Sequence, residues 1–157
     1  MRALLDVNVI IALLDSGHVM HGSASTWLER HLDQGWATCP LTQAGVVRIM
    51  AQPAYPNQQP AQQVAARLAE ACGHPSHAFW PQQISLLQEG LIHWVRILGP
   101  RQISDAYLLA LAVAHGGRLV SFDQRIDPLH VAGATASHLC VIAADRPDGG
   151  GPEKAAP

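Results

Sequence analysis

The chain has 157 residues, a mass of 16.8 kDa and a net charge of −2, which suits one domain with a core of its own. Hydrophobic residues make up 48% and charged residues 14%, which excludes a disordered chain and a polybasic binder. No apolar run reaches the roughly 18 residues of a membrane span, and three scattered cysteines (Cys39, Cys72, Cys140) without a C-x-x-C pair suit a reducing cytoplasm rather than a disulfide framework or zinc ribbon. Residues 2–7 open as a buried parallel strand ending in an acid, and 8–14 as a short helix. The acids Asp6 and Asp15, and the lack of a small-residue cleavage site, argue against a secretory signal. Helical spacing returns over 23–32 and is broken by Gly35, and 36–39 reads as a second strand. Pro40 suits the first turn of the next helix, which carries Leu41, Ala44, Val47 and Met50. Residues 52–60 form a Pro/Asn/Gln loop, and 61–72 an alanine-rich helix.

Residues 77–80 are a candidate third strand, 84–87 a short helix, and 91–98 fits strand or helix equally. Ser104 is the expected N-cap of a helix over 105–115 that stops at Gly116-Gly117. Strands over 118–122 and 139–143 complete the pattern. Alternating strands and helices predict a parallel sheet covered on both faces. The expected domain runs over 1–145, and the Pro/Gly/Ala-rich 146–157 is expected to be a flexible tail.

Three aspartates occupy comparable places. Asp6 ends the first strand, Asp105 opens a helix, and Asp123 follows the strand Leu119-Val120-Ser121-Phe122. In an open parallel sheet, strand C-termini and the helix starts that follow them share one edge, where ligands bind. Carboxylates converging there repel unless a cation lies between them. A hard divalent ion, Mg²⁺ or Mn²⁺, prefers oxygen ligands, polarises a phosphodiester and activates water. Singly, each acid has a plainer role: a turn residue for Asp123, a helix-dipole partner for Asp105. Asp6 ends an apolar strand, where burial without a partner is costly.

The segment Leu5-Asp6-Val7-Asn8-Val9-Ile10 resembles the opening of PIN domains of the VapC toxin type. Ser104-Asp105-Ala106-Tyr107-Leu108-Leu109-Ala110-Leu111-Ala112 resembles that family's third-acid helix, and Arg118-Leu119-Val120-Ser121-Phe122-Asp123 its fourth-acid strand. Thr38-Cys39-Pro40-Leu41-Thr42, continuing to Val47-Arg48, is similar to the start of its second-acid helix. The resemblance covers about residues 1–143. It implies a three-layer α/β/α sandwich around a central parallel sheet. It implies a cytoplasmic, Mg²⁺- or Mn²⁺-dependent endoribonuclease, the toxin of a type II toxin–antitoxin pair. Asp6, Asp105 and Asp123 would hold the metal and carry catalysis, the substrate would be tRNA or rRNA, and the chain would be a homodimer restrained by an antitoxin. One position departs: Gln43 stands where the family has a glutamate, and an amide brings no charge and no base. The alternative is a weakened PIN-fold protein that binds antitoxin or RNA without efficient turnover.

Asn8 is expected to orient a neighbouring carboxylate, or to cap the following helix. Ser121 is a candidate partner of a metal water. Arg48, Arg96, Arg101 and Arg125 are candidates for phosphate contact, Arg125 first because it lies two residues after Asp123. The pairs His18/His21 and His74/His77 lack acidic or Cys partners at zinc spacing and read as solvated loop residues. Trp27, Trp36, Trp80 and Trp94 read as core. A two-component receiver and a haloacid-type phosphatase both need a lysine near the acids, and the lone lysine, Lys154, is in the tail.

Overall fold

The computed structural model describes residues 1–144; the expected tail over 146–157 lies outside them. Five strands form one parallel sheet: β1 (Ala3–Leu5), β2 (Trp36–Thr38), β3 (His77–Phe79), β4 (Arg118–Ser121) and β5 (Leu139–Val141), in the order β3-β2-β1-β4-β5. The helices are α1 (Val7–Leu14), α2 (His21–His31), α3 (Pro40–Met50), α4 (Ala61–Cys72) and α5 (Arg101–Ala114).

Side chains of a strand alternate between faces. Ala3 and Leu5 point into one apolar layer with residues of α1, α3 and α4, while Leu4 points into a second layer with Ala106 to Ala112 of α5. Both layers are buried, which is why the strands read as continuous apolar runs rather than alternating ones. The result is the expected three-layer sandwich. The close approach of α3 to α1 depends on Gly45, where a Cβ would stand 2.7 Å from Val7 Cγ2. At the far end of α5, Gly116 adopts φ +63°. Its N–H bonds Val113 O at 3.0 Å and the Gly117 N–H bonds Ala112 O at 2.8 Å, a Schellman stop that leads directly into β4.

The sheet order reverses about β1, which has β2 on one side and β4 on the other. Such a switch point opens a crevice at the strand C-termini. In the register, Leu4 pairs with Leu119 and Leu5 with Val120. The next residue of each strand therefore brings Asp6 alongside Ser121 at the crevice.

Three expectations about elements are corrected. The α5 helix begins at Arg101 after Pro100, not at Asp105, so Ser104 is a helical residue and not the cap. Pro100 already holds a helical backbone (φ −63°, ψ −26°), and a proline at a helix start costs no hydrogen bond. Residues 84–87 are a bend and a turn rather than a helix, fixed by tertiary packing of Ile84 and Leu86 and by the Tyr107 hydroxyl donating to Ile84 O at 3.1 Å. Residues 91–98 are neither strand nor α-helix. They hold a single antiparallel bridge, Ile92 to Val131, and a 3₁₀ turn at Trp94–Arg96. Trp94 is 45% exposed there, so the fourth tryptophan is not core.

Candidate active site

Asp6 lies in the half-turn between β1 and α1. Its Oδ1 accepts from the Val7 N–H at 2.7 Å, and its Oδ2 accepts from the Ser121 hydroxyl at 2.6 Å. Ser121 also accepts from the Asn8 amide at 3.1 Å and from the Asp123 N–H at 3.1 Å. One donor and two acceptor positions exhaust a hydroxyl, so Ser121 ties both strand ends and α1 into one unit. The expected orienting role of Asn8 thus runs through Ser121.

Asp105 enters from the second turn of α5, and Asp123 from the loop after β4. All three acids line one open cleft of about 410 Å³ with Asn8, Ile11, His18, Ile49, Tyr55, Arg101 and Arg125. Burial pushes the Asp6 carboxyl upward, and the charge of Asp123 adds to that. Burial, with the charges of Asp6 and Asp123, lifts Asp105 to about 6. Asp123 goes the other way, to about 2, because Arg125 grips it. Arg125 Nε donates to Asp123 Oδ1 at 2.9 Å and its Nη2 to Oδ2 at 2.7 Å. Arg125 is thus the counter-ion of one acid, and its side chain is 70% exposed. Arg101 also lines the cleft, whereas Arg48 and Arg96 do not line it.

A divalent cation suits this donor set. The donors are hard oxygens, their charges oppose one another, and the buried Asn8 Oδ1 has no hydrogen-bond partner among the described residues. As they stand, no three acidic, histidine or cysteine side chains among the described residues gather tightly enough to enclose an ion.

Gln43 lies elsewhere. Its amide donates to Thr38 Oγ1 at 3.0 Å, and it lines a separate cavity between α3 and α4 with Val47, Leu68 and Cys72. The α3 residues that reach toward α1 are Gly45, against Val7, and Ile49, on the cleft wall. Position 43 is turned away from them by the helical period. The α3 helix therefore supplies no carboxylate to the cleft.

Two cleft residues escaped the sequence reading. His18, taken as a solvated loop histidine, and Tyr55, in the Pro/Asn/Gln loop, both line the wall. The one available signal was Tyr55 itself, the single aromatic ring in a loop otherwise of Pro, Asn, Gln and Ala. Of the other histidines, His21 Nδ1 contacts Ala12 O at 2.7 Å and His77 Nε2 contacts Thr38 Oγ1 at 2.9 Å, so both serve packing.

The PIN domain family model matches residues 3–131. Ribonuclease VapC44 of Mycobacterium tuberculosis is 47% identical over 142 residues, 90% of this chain and all of that protein. Ribonuclease VapC39 of the same organism is 40% identical over 78% of this chain and 89% of its own length. In fold, the chain is similar to the crystal structure of M. tuberculosis VapC20, described as a sarcin–ricin loop cleaving toxin. The TM-score is 0.58 at 16% identity, over 78% of this chain and 91% of that one. It is also similar to VapBC2 of Rickettsia felis bound to promoter DNA, with a TM-score of 0.52 at 15% identity over 78% and 89% of the two chains. A parallel sheet with acids at its switch point, a family match over most of the chain and relatives of full length place this protein in the PIN domain family, among the VapC-type toxins.

Proposed function

We propose that the chain is the ribonuclease toxin of a toxin–antitoxin pair and hydrolyses RNA phosphodiesters with Mg²⁺ or Mn²⁺. One observation carries this reading: acids from three separate elements line one cleft, where the charge of Asp123 raises Asp6 and the charges of Asp6 and Asp123 raise Asp105. Asp6, Asp105 and Asp123 would hold the cation, with Asn8 Oδ1 as a further oxygen. When bound, the ion supplies charge stabilisation of the phosphodiester and lowers the pKa of the attacking water. Ser121 fixes the Asp6 carboxylate so that it costs no reordering when the site fills. Without a cation, burial and the charges of Asp6 and Asp123 hold Asp105 at about 6, and a bound cation would favour its ionised form. Arg101 and Arg125 line the cleft, where their guanidinium groups would meet an arriving phosphate.

We extend this reading to a cytoplasmic location, an antitoxin partner, a homodimer and structured RNA as substrate; the VapBC2 complex supports the partner and the sarcin–ricin loop cleaving VapC20 the RNA. The domain carrying all of this would be residues 1–145. No helix among the described residues is long and apolar enough to cross a membrane. A second reading is a PIN-fold binder with weak turnover, favoured by the absence of an α3 carboxylate from the cleft. Incubation of the purified chain with RNA in Mg²⁺, in Mn²⁺ and in EDTA separates the two. Cleavage in either metal, abolished by EDTA and in Asp6→Asn, is the expected result. RNA binding without cleavage in either metal would leave the binder.

A further inference from the structure

We propose that the wall formed by Tyr55 and His18 is a nucleobase site, where a base flanking the scissile phosphate packs on the Tyr55 ring and accepts a hydrogen bond from His18. This rests on the reading of the cleft as a ribonuclease site.

Residues 51–60 contain no helix or strand, yet they are pinned throughout. The Tyr55 N–H bonds Gln52 O at 2.9 Å, the Gln52 N–H bonds Ile49 O at 3.1 Å, and the Gln59 N–H bonds Met50 O at 3.2 Å. The strongest tie is to Asp15, which is 5% exposed at the end of α1. Its Oδ2 accepts from the Tyr55 hydroxyl at 2.5 Å, and its Oδ1 accepts from the Asn57 amide at 3.1 Å and the Gly17 N–H at 3.0 Å. Arg67 adds a contact from α4 to Leu14 O. The three donors to Asp15 favour its charged form, and the carboxylate in turn holds one aromatic ring at the cleft wall.

His18 is held at the same wall. Its Nδ1 accepts from the Met20 N–H at 3.1 Å. A neutral imidazole that accepts at Nδ1 carries its proton at Nε2. Nε2–H has no partner among the described residues, so the ring offers one donor to whatever lies in the cleft.

The cleft therefore has two chemistries. Its acid end takes a cation and, through it, a phosphate. Its other end has an aromatic ring, the apolar Ile11 and Ile49, and a single N–H donor. The two ends are joined by α1, whose eight residues span about 12 Å at 1.5 Å per residue. A planar, mostly apolar group with acceptor atoms, attached to a phosphate diester, fits both, and this is a nucleotide in a single strand. Single-stranded RNA is read by splayed bases laid on aromatic rings and hydrogen-bonded at their edges.

The test uses the full chain, a random-sequence RNA pool with cleavage sites mapped by sequencing, and fluorescence anisotropy of a short single-stranded RNA of mixed sequence, measured in EDTA. Tyr55→Ala is expected to raise KM and weaken RNA binding about tenfold, within the range for loss of a base–aromatic stack. It should also relax the preference for the flanking base and leave Mn²⁺ affinity unchanged. Tyr55→Phe keeps the ring and loses the Asp15 bond, so it should melt earlier yet keep the preference. His18→Ala should change which base is preferred. Wild-type KM and preference in Tyr55→Ala and His18→Ala would overturn the base site, as would equal loss of preference in Tyr55→Phe and Tyr55→Ala. Failure of wild type to cleave any RNA would sink the nuclease reading separately. Anisotropy would still decide the base site, because equal RNA binding by wild type and Tyr55→Ala, or none by either, overturns it.

Discussion

Two buried aspartates stand at the two ends of α1 and behave in opposite ways. Asp6 is 7% exposed and Asp15 is 5% exposed. Asp6 is pushed up by burial and by a neighbouring acid, while Asp15 is pulled down, first by the Tyr55 hydroxyl and then by Asn57 and Gly17. Burial raises both, but at Asp6 it outweighs the Ser121 and Val7 hydrogen bonds, whereas at Asp15 the hydrogen bonds, Tyr55 first, outweigh it. Asp15 is a finished structural group. Asp6, on the cleft it shares with Asp105 and Asp123, is held by two hydrogen bonds that do not offset its burial.

The largest expected effect breaks that contrast at the acid end. Asp6→Asn and Asp105→Asn should each cut RNA cleavage by more than about a hundredfold. Both should stay folded, with thermal midpoints equal to wild type or higher, because neutralisation relieves repulsion. A cleavage time course beside scanning calorimetry checks both halves. Wild-type cleavage by Asp6→Asn would remove it from the site.

At the other end the order reverses. Asp15→Ala leaves the Tyr55 hydroxyl and the Asn57 amide without their acceptor and should cost about 2 kcal/mol. That is roughly 4–8 °C of thermal midpoint for a domain of this size. Mn²⁺ affinity, read by calorimetric titration, should not change.

The pH dependence sharpens the same comparison. Asp105 has its folded pKa raised from 3.8 to about 6. Between those values the folded chain holds a proton that the unfolded chain has lost. Its contribution is therefore full below the ordinary carboxylate range and is lost as pH rises toward about 6. For a partly exposed group, screening leaves this of order 1 kcal/mol. Asp15 has the opposite sign: its contribution is present above the ordinary range and is lost as pH falls through its lowered value. Urea midpoints from about pH 3 to 8 should vary less above pH 4 in Asp105→Asn, where the raised Asp6 supplies the rest of the slope, and less below pH 4 in Asp15→Asn, where the lowered Asp123 does. Added Mn²⁺ should stabilise wild type more as pH rises through 6.

The smallest effect is expected at Gln43. Its side chain serves Thr38 on the far side of α3, so Gln43→Glu should leave Mn²⁺ affinity and cleavage unchanged. Stability should fall by about 1 kcal/mol or less, through the lost donor. Tighter Mn²⁺ binding in Gln43→Glu would show that α3 reaches the cleft after all.

Much of the fold was legible because its signals are local. The apolar runs before Asp6 and Asp123 announced buried strands, and the alanine-rich run at 61–72 announced α4 within a residue. Gly116-Gly117 announced the stop of α5. The misreadings fall where local signals are weak. Ser104 was a plausible cap, but Pro100 four residues earlier started the helix. Residues 84–98 are apolar without a period, and packing under α5 gave them turns. At the cleft, Asp6 and Asp123 follow strand ends that the sequence shows, whereas Asp105 lies in the second turn of α5 and not at its start. Tyr55 and His18 could not be named from sequence, since their roles come from contacts across 40 residues of chain, such as Tyr55 to Asp15.

The sequence alone determined the layered α/β architecture, and with it that Asp6 and Asp123 would meet at one edge, because strand patterning and chain order suffice to bring strand ends together. Only the tertiary structure decided that Ser121 clamps Asp6, that Arg125 holds Asp123, and that Gln43 faces α4. These depend on side-chain direction. A rotation of 100° per residue about a helix axis separates a residue in the cleft from one behind it, and packing alone sets which face of α3 meets α1.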